Sequence, residues 1–236
     1  MKRSRIDACI QEFLDFADAH GFHLPPWARY SPRQWAELGP EADEIRRCRL
    51  GWDVTDFGSG RFEEIGLTLL TLRNGTPGCS GPGAKDYCEK VMMVREGQLT
   101  PFHFHFTKME DIINRAGGEL VVELYNSTPD EGLDEQSEVR VQADGITRTL
   151  PPGGRLILAP GESVTLPPGM YHAFWGAAGT GSVLVGEVSR VNDDARDNRF
   201  LEPLPRFPEI EEDVPARFVL CTEYPPARQS RGSRGD

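Results

Sequence analysis

The chain has only five histidines, so their placement is informative. His103 and His105 flank Phe104 in a stretch that reads as a strand. Side chains alternate along a strand, so both imidazoles face one side while Phe102, Phe104 and Phe106 face the other. Glu110 lies five residues beyond His105, close enough to swing back at the next turn. Far downstream, His172 follows the turn Pro167-Pro168-Gly169 at the start of another apolar run. Three imidazoles and one carboxylate, if the fold brings them together, would make a borderline-hard donor set suited to Mn, Fe, Co, Ni or Zn. An octahedral ion held by four such donors keeps two adjacent positions open, and two vicinal oxygens of a substrate can fill them as a chelate. His20 and His23, near a helix end, have no part in this reading.

Those side chains need a scaffold that brings distant segments together. Residues 1–52 read as a helical extension. Ile6, Ile10, Phe13, Leu14 and Ala17 recur at three- and four-residue spacing, and His20-Gly21 supplies a stop. Ser31 before Pro32 is a good N-cap with proline at the first helical position, and Trp35, Leu38, Ala42 and Ile45 form a second apolar stripe. From 53 to 224 the texture is β-rich. Short runs such as Leu67–Leu72, Val91–Val94, Leu120–Tyr125, Val139–Val141, Arg155–Leu158, Ser163–Leu166 and Val183–Val188 alternate with Gly- and Pro-rich turns, the pattern of an antiparallel sandwich or barrel. Residues 225–236, rich in Arg, Ser, Gly and Pro, read as a disordered tail.

The 236 residues are enough for one well-buried core with a decoration. A formal net charge of −11 repels phosphate backbones and anionic membranes, so neither is an expected partner. A neutral sugar meets no such field. No apolar run reaches the length that spans a bilayer. Asp7, Glu12, Asp15 and Asp18 interrupt any secretory core near the amino terminus, and the five cysteines form no C-x-x-C pair. Both features lead to the expectation of a cytoplasmic protein with reduced thiols.

The spacing Gly97, five residues, His103-Phe104-His105, four residues, Glu110, six residues, Gly117 resembles the first cupin motif at every anchor. Gly161, five residues, Pro167-Pro168-Gly169, two residues, His172 resembles the second. One departure is Gly176, where many cupins carry Asn. The resemblance implies an all-β-dominated cupin jelly-roll barrel with the N-terminal helices packed against it, in which the four residues bind one metal. A closer resemblance is to the D-lyxose isomerase family. It is carried by His23-Leu24-Pro25-Pro26, Leu50-Gly51-Trp52-Asp53-Val54-Thr55, Thr71-Leu72-Arg73-Asn74-Gly75, Glu110-Asp111-Ile112-Ile113-Asn114-Arg115, Phe174-Trp175-Gly176 and Val191-Asn192-Asp193-Asp194. It implies interconversion of D-lyxose and D-xylulose, often of D-mannose and D-fructose, with a preference for Mn²⁺, and a homodimer.

Isomerisation of that kind moves hydrogen between C1 and C2, which a cation chelated by O1 and O2 assists. The hydrogen passes either as a proton carried by a protein base through an enediol or as a hydride shift, two routes the sequence does not separate. Strand alternation supplies the candidates. Glu187 shares a face with Val183 and Val185, and Lys90 with Met92 and Val94. A charge inside an apolar strand is costly without a partner or a task. Glu187 is therefore the expected proton carrier and Lys90 the donor to a sugar oxygen. One of Phe174 and Trp175 is expected to stack on the sugar, and Asp193 to bind its hydroxyls. The rival readings at this point are an Fe²⁺ cupin dioxygenase, a non-catalytic sugar-binding cupin and a phosphosugar isomerase.

Overall fold

The computed structural model describes residues 1–79, 81–193 and 196–229. Helix α1 (Arg3–Ala19) follows the apolar spacing read above and ends where Gly21 turns into the left-handed region at φ +68°. The second apolar stripe does not make one helix. Helix α2 (Pro32–Glu37) starts on a capping box between Ser31 and Gln34. Pro40 then turns its predecessor away from helical geometry, and α3 (Asp43–Arg47) starts afresh after a single 3-10 turn.

The strands are β1 (Gly51–Thr55), β2 (Leu67–Arg73), β3 (Tyr87–Val94), β4 (Thr100–His105), β5 (Glu110–Gly117), β6 (Leu120–Ser127), β7 (Leu133–Asp134), β8 (Val139–Ala143), β9 (Ile146–Leu150), β10 (Gly154–Leu158), β11 (Ser163–Leu166), β12 (Met170–Gly176), β13 (Val183–Arg190) and β14 (Asn198–Phe200). The larger sheet runs β1-β2-β3-β13-β5-β11-β8-β9, and the smaller runs β10-β6-β12-β4-β14, with β7 beside β6. Neighbouring strands are antiparallel throughout these sheets. This is the jelly-roll expected from the cupin motifs. Every β run named from sequence falls on a strand.

Two cores hold the layers together. Between the sheets, Leu69, Met92 and Val185 meet Val122, Leu124 and Phe174. On the outer face of the larger sheet, Ile6, Ile10 and Phe13 of α1 cover Trp52, Leu70 and Met93. Each such side chain contributes roughly 1.5–3 kcal/mol by leaving water. The alternation matters for function, because the same strands turn Asp53, Thr71, Lys90 and Glu187 inward.

After β14 the chain leaves the barrel and straps back over the helical layer. Glu211 bridges to Lys2, and Leu220 to Trp52. Arg3, only 2% exposed, pairs with Glu212 at 2.6 Å and also with Glu223. The first residues of the expected 225–236 tail are placed against the helical layer. Arg46 donates to the Pro225 carbonyl at 3.0 Å and Arg228 N–H to that of Leu38 at 2.9 Å. Residues 230–236 lie outside the described residues.

Candidate metal centre

His103 on β4 and His172 on β12 are register partners on adjacent strands, with ring centroids 4.1 Å apart. His105 lies two residues along β4 on the same face. Glu110 opens β5 in the facing sheet and sends its carboxylate across the barrel. Its Oε1 is 3.3 Å from His105 Nε2 and 3.1 Å from His172 Nε2. One donor atom from each of the four lies within 4.8 Å of all the others. An ion bonded at about 2.1 Å to each donor would hold adjacent donors about 3 Å apart.

The imidazoles are aimed by backbone carbonyls. His103 Nδ1 donates to Pro101 O at 2.8 Å, His172 Nδ1 to Met170 O at 3.1 Å and His105 Nδ1 to Asp197 O at 3.2 Å. With Nδ1 protonated, each Nε2 presents a lone pair to the centre. His172 Nε2 is buried and makes no hydrogen bond of ordinary geometry. Burial, with His172 and His105 alongside, pushes His103 well below the ordinary imidazole range; burial also lowers His105. Burial alone would raise the Glu110 carboxyl, but Lys108 and His105 outweigh it and hold Glu110 well below the usual carboxylate range. Neutral His103 and His105 beside an ionised Glu110 are in the protonation states that bind a divalent cation, and with the His172 Nε2 aimed at the same point these residues fit a metal ion.

Across the cavity stands a charged network. Glu187 on β13 pairs in register with Lys90 on β3 and Ile112 on β5. Its Oε1 lies 3.4 Å from Lys90 Nζ and accepts from Lys108 Nζ at 2.9 Å and from Ser189 Oγ at 3.0 Å. Lys108 Nζ also reaches Glu110 Oε2 at 2.7 Å, so one ammonium joins the metal-site carboxylate to Glu187. Burial lowers and the two carboxylates raise Lys108; the carboxylates win and keep it charged. Burial raises Glu187, and the Lys108 and Lys90 charges bring it below its ordinary value. Asn192 accepts from Lys90 Nζ at 2.8 Å through Oδ1, while its backbone exchanges two hydrogen bonds with the Asn74 side chain.

The structure thus brings together His103, His105, Glu110, His172, Lys90, Glu187 and Phe174. Phe174 is 2% exposed and lines the cavity. Trp175 does not, because its neighbour on the strand points inward. It faces outward under Arg155, whose guanidinium is 5.2 Å from the ring centroid. Asp193 also lies off the metal cavity, on an adjoining cleft. Sequence reasoning missed Lys108, Asn192 and Asp197. Asp197 braces the turn before Glu110, accepting from Thr107 N at 2.8 Å and Lys108 N at 3.0 Å. A lysine inside the metal motif was a usable signal for the first, and the Asn74 and Asn192 stretches for the second.

The profile of the D-lyxose isomerase family matches residues 1–224. A D-lyxose/D-mannose isomerase of Serratia proteamaculans is 53% identical over 225 residues, covering 95% of this chain and 98% of its own. A protein of the same description from Escherichia coli O157:H7 is 52% identical over 226 residues, with the same coverage. Among solved structures, the ligand-free L-ribose isomerase of Cellulomonas parahominis superposes with a TM-score of 0.56 over 89% of this chain and 98% of that one. At 19% identity it shows a shared fold.

Proposed function

Because the chain belongs to the D-lyxose isomerase family, we propose that it is a metal-dependent isomerase interconverting D-lyxose and D-xylulose, and also D-mannose and D-fructose. The observation that carries the reading is a buried carboxylate, Glu187, facing a four-donor metal set across one cavity. His103, His105, Glu110 and His172 would hold a divalent cation, which would supply Lewis-acid chemistry to a sugar bound beside it.

The chain's own residues do the rest. Glu187, kept ionised by its two lysines, takes the proton from C2 of the aldose and returns it to C1, while the O2 hydroxyl proton passes to O1. Lys90 and Lys108 donate hydrogen bonds to the oxygens on which negative charge develops. In the same cavity, Phe174 offers an apolar surface to the C–H face of the sugar. The three pocket cations Lys90, Lys108 and Arg206 are each matched to a carboxylate, which favours a neutral sugar over a phosphosugar. Mn²⁺ is the preferred ion in this reading, and the protein works in the cytoplasm as a homodimer, since open sheet edges tend to pair between copies.

The test is to strip the protein with chelator, restore Mn²⁺ and follow D-lyxose and D-mannose conversion, with His103→Ala as control. Turnover is expected to return with metal and to be absent from the variant. A folded, metal-loaded protein that turns over neither sugar would sink the reading, and oxygen consumption would then test the dioxygenase alternative.

A further inference from the structure

The metal cavity holds about 40 Å³, room for a few waters, whereas small-molecule sites start at roughly 300 Å³. A monosaccharide anchored there by two vicinal oxygens needs space for its remaining carbons. On the inner face of β1 and β2 lies a second cleft of about 290 Å³, lined by Asp53, Leu69, Thr71, Asn192 and Asp193. The two spaces share Leu69, and two polar contacts divide them. Lys90, on the cavity side, donates to Asn192, on the cleft side, at 2.8 Å. Arg206, on the cavity side, pairs with Asp53, on the cleft side, at 2.6 Å.

That second pair is nearly buried, Asp53 at 4% exposure. Desolvation offsets most of what a buried ion pair contributes to net stability, so stability alone does not account for a pair placed here. Thr55 Oγ, which donates to the Arg206 carbonyl at 2.9 Å, holds the strap segment in place beside the partition. A wall of hydrogen-bonding groups, unlike an apolar wall, can exchange its contacts for sugar hydroxyls without leaving a polar group bare.

We propose that the cleft is a distal subsite that takes the hydroxyl-bearing carbons of an aldose beyond C2, and that the Asp53–Arg206 pair reads them. This rests on the isomerase reading above. Hydroxyls of the sugar donate to Asp53 and Asp193 and accept from Arg206. A hexose extends one hydroxymethyl group further into the cleft than a pentose, so the cleft sets the balance between the two.

Two variants test the proposal, each assayed as the full Mn²⁺-loaded chain. Cys221, which lines the cleft and not the metal cavity, becomes a filling ring in Cys221→Phe. It is expected to lower kcat/KM for D-mannose about tenfold or more, the effect of displacing roughly one carbon's worth of substrate, and for D-lyxose about threefold or less. Asp53→Asn keeps the shape and removes the charge. It is expected to raise KM for both sugars about tenfold, with kcat and Mn²⁺ affinity within about threefold. An unchanged sugar ratio in a folded Cys221→Phe protein, or an unchanged KM in Asp53→Asn, would overturn the proposal. If Cys221→Phe fails to fold, Asp53→Asn decides alone. Absence of turnover by the unmodified protein would instead overturn the isomerase reading, so the two failures are distinct.

Discussion

On β4 and β12, two of the three imidazoles are aimed by carbonyls two residues away in the chain, His103 by Pro101 and His172 by Met170. Across the cavity, Lys90, Lys108, Glu187 and Asn192 are held by one another, and the contact from Lys90 to Asn192 spans 102 residues of sequence. The metal wall is organised locally and by backbone, which is stiff. The opposite wall is organised by side-chain charge, in which the carboxylates raise Lys108 and the lysine charges lower Glu187. The first arrangement suits a fixed ion. The second suits groups that must give and take protons at a bound substrate.

The comparison is broken most sharply by removing one principal group from each wall. His172→Ala takes away a donor, and loss of the cation is expected to cost on the order of 10³-fold or more in kcat/KM. Glu187→Gln keeps the shape of the other wall but removes the proposed base, with an expected loss of roughly 10²–10⁴-fold in kcat. The sharper reading is Mn²⁺ affinity, measured by calorimetry. It should collapse in His172→Ala and stay within about threefold of normal in Glu187→Gln. If both variants lose metal alike, the two walls are not separate devices.

Lys108 belongs to both walls, and its removal should show that. Lys108→Met leaves Glu110 and Glu187 facing each other without the ammonium between them. Breaking a buried pair from one side costs about 3–5 kcal/mol, so the metal-free variant is expected to melt well below the unmodified protein. Added Mn²⁺ should recover part of that loss by compensating Glu110. Orientation of a metal ligand is worth roughly 10–100-fold in affinity or activity, and here both should fall together. A variant that loses activity with metal affinity intact would assign Lys108 to the proton-handling wall alone.

How much of this was legible in the chain follows from the same division. The metal ligands could be read because glycines, prolines and histidines keep fixed local spacing around them. Period-two alternation turned Lys90 and Glu187 inward without knowledge of what they face. The same rule makes neighbours such as Phe174 and Trp175 point oppositely, so only one of that pair could reach the cavity. Lys108 sits in the turn between β4 and β5, where no period says which way a side chain points. Asn192, Asp197 and Arg206 enter the site only through tertiary contacts with segments 80 or more residues away. Helix α1 was plain from its 3.6-residue spacing, whereas the second stripe was cut by Pro40, a backbone effect that overrode the apolar pattern.

Lys90 gives the smallest effect and the most direct view of how the charged wall works. Burial pushes the Glu187 carboxyl up, and the Lys108 and Lys90 charges together bring it below its ordinary value. Lys90→Met removes one of those opposing charges, so the carboxyl must rise. The working form of the proposed base is the carboxylate. Activity in the variant should therefore be lost at a higher pH on the acid side than in the unmodified protein, with the alkaline side unmoved by this group. At a pH where Glu187 is ionised in both proteins, the remaining difference reports the lost hydrogen bond to substrate, about tenfold in kcat/KM. The profile is measured with D-lyxose at saturating Mn²⁺. Coincident acid limbs would mean that Lys108 alone sets the charge of Glu187, and that Lys90 serves only as a donor to the sugar.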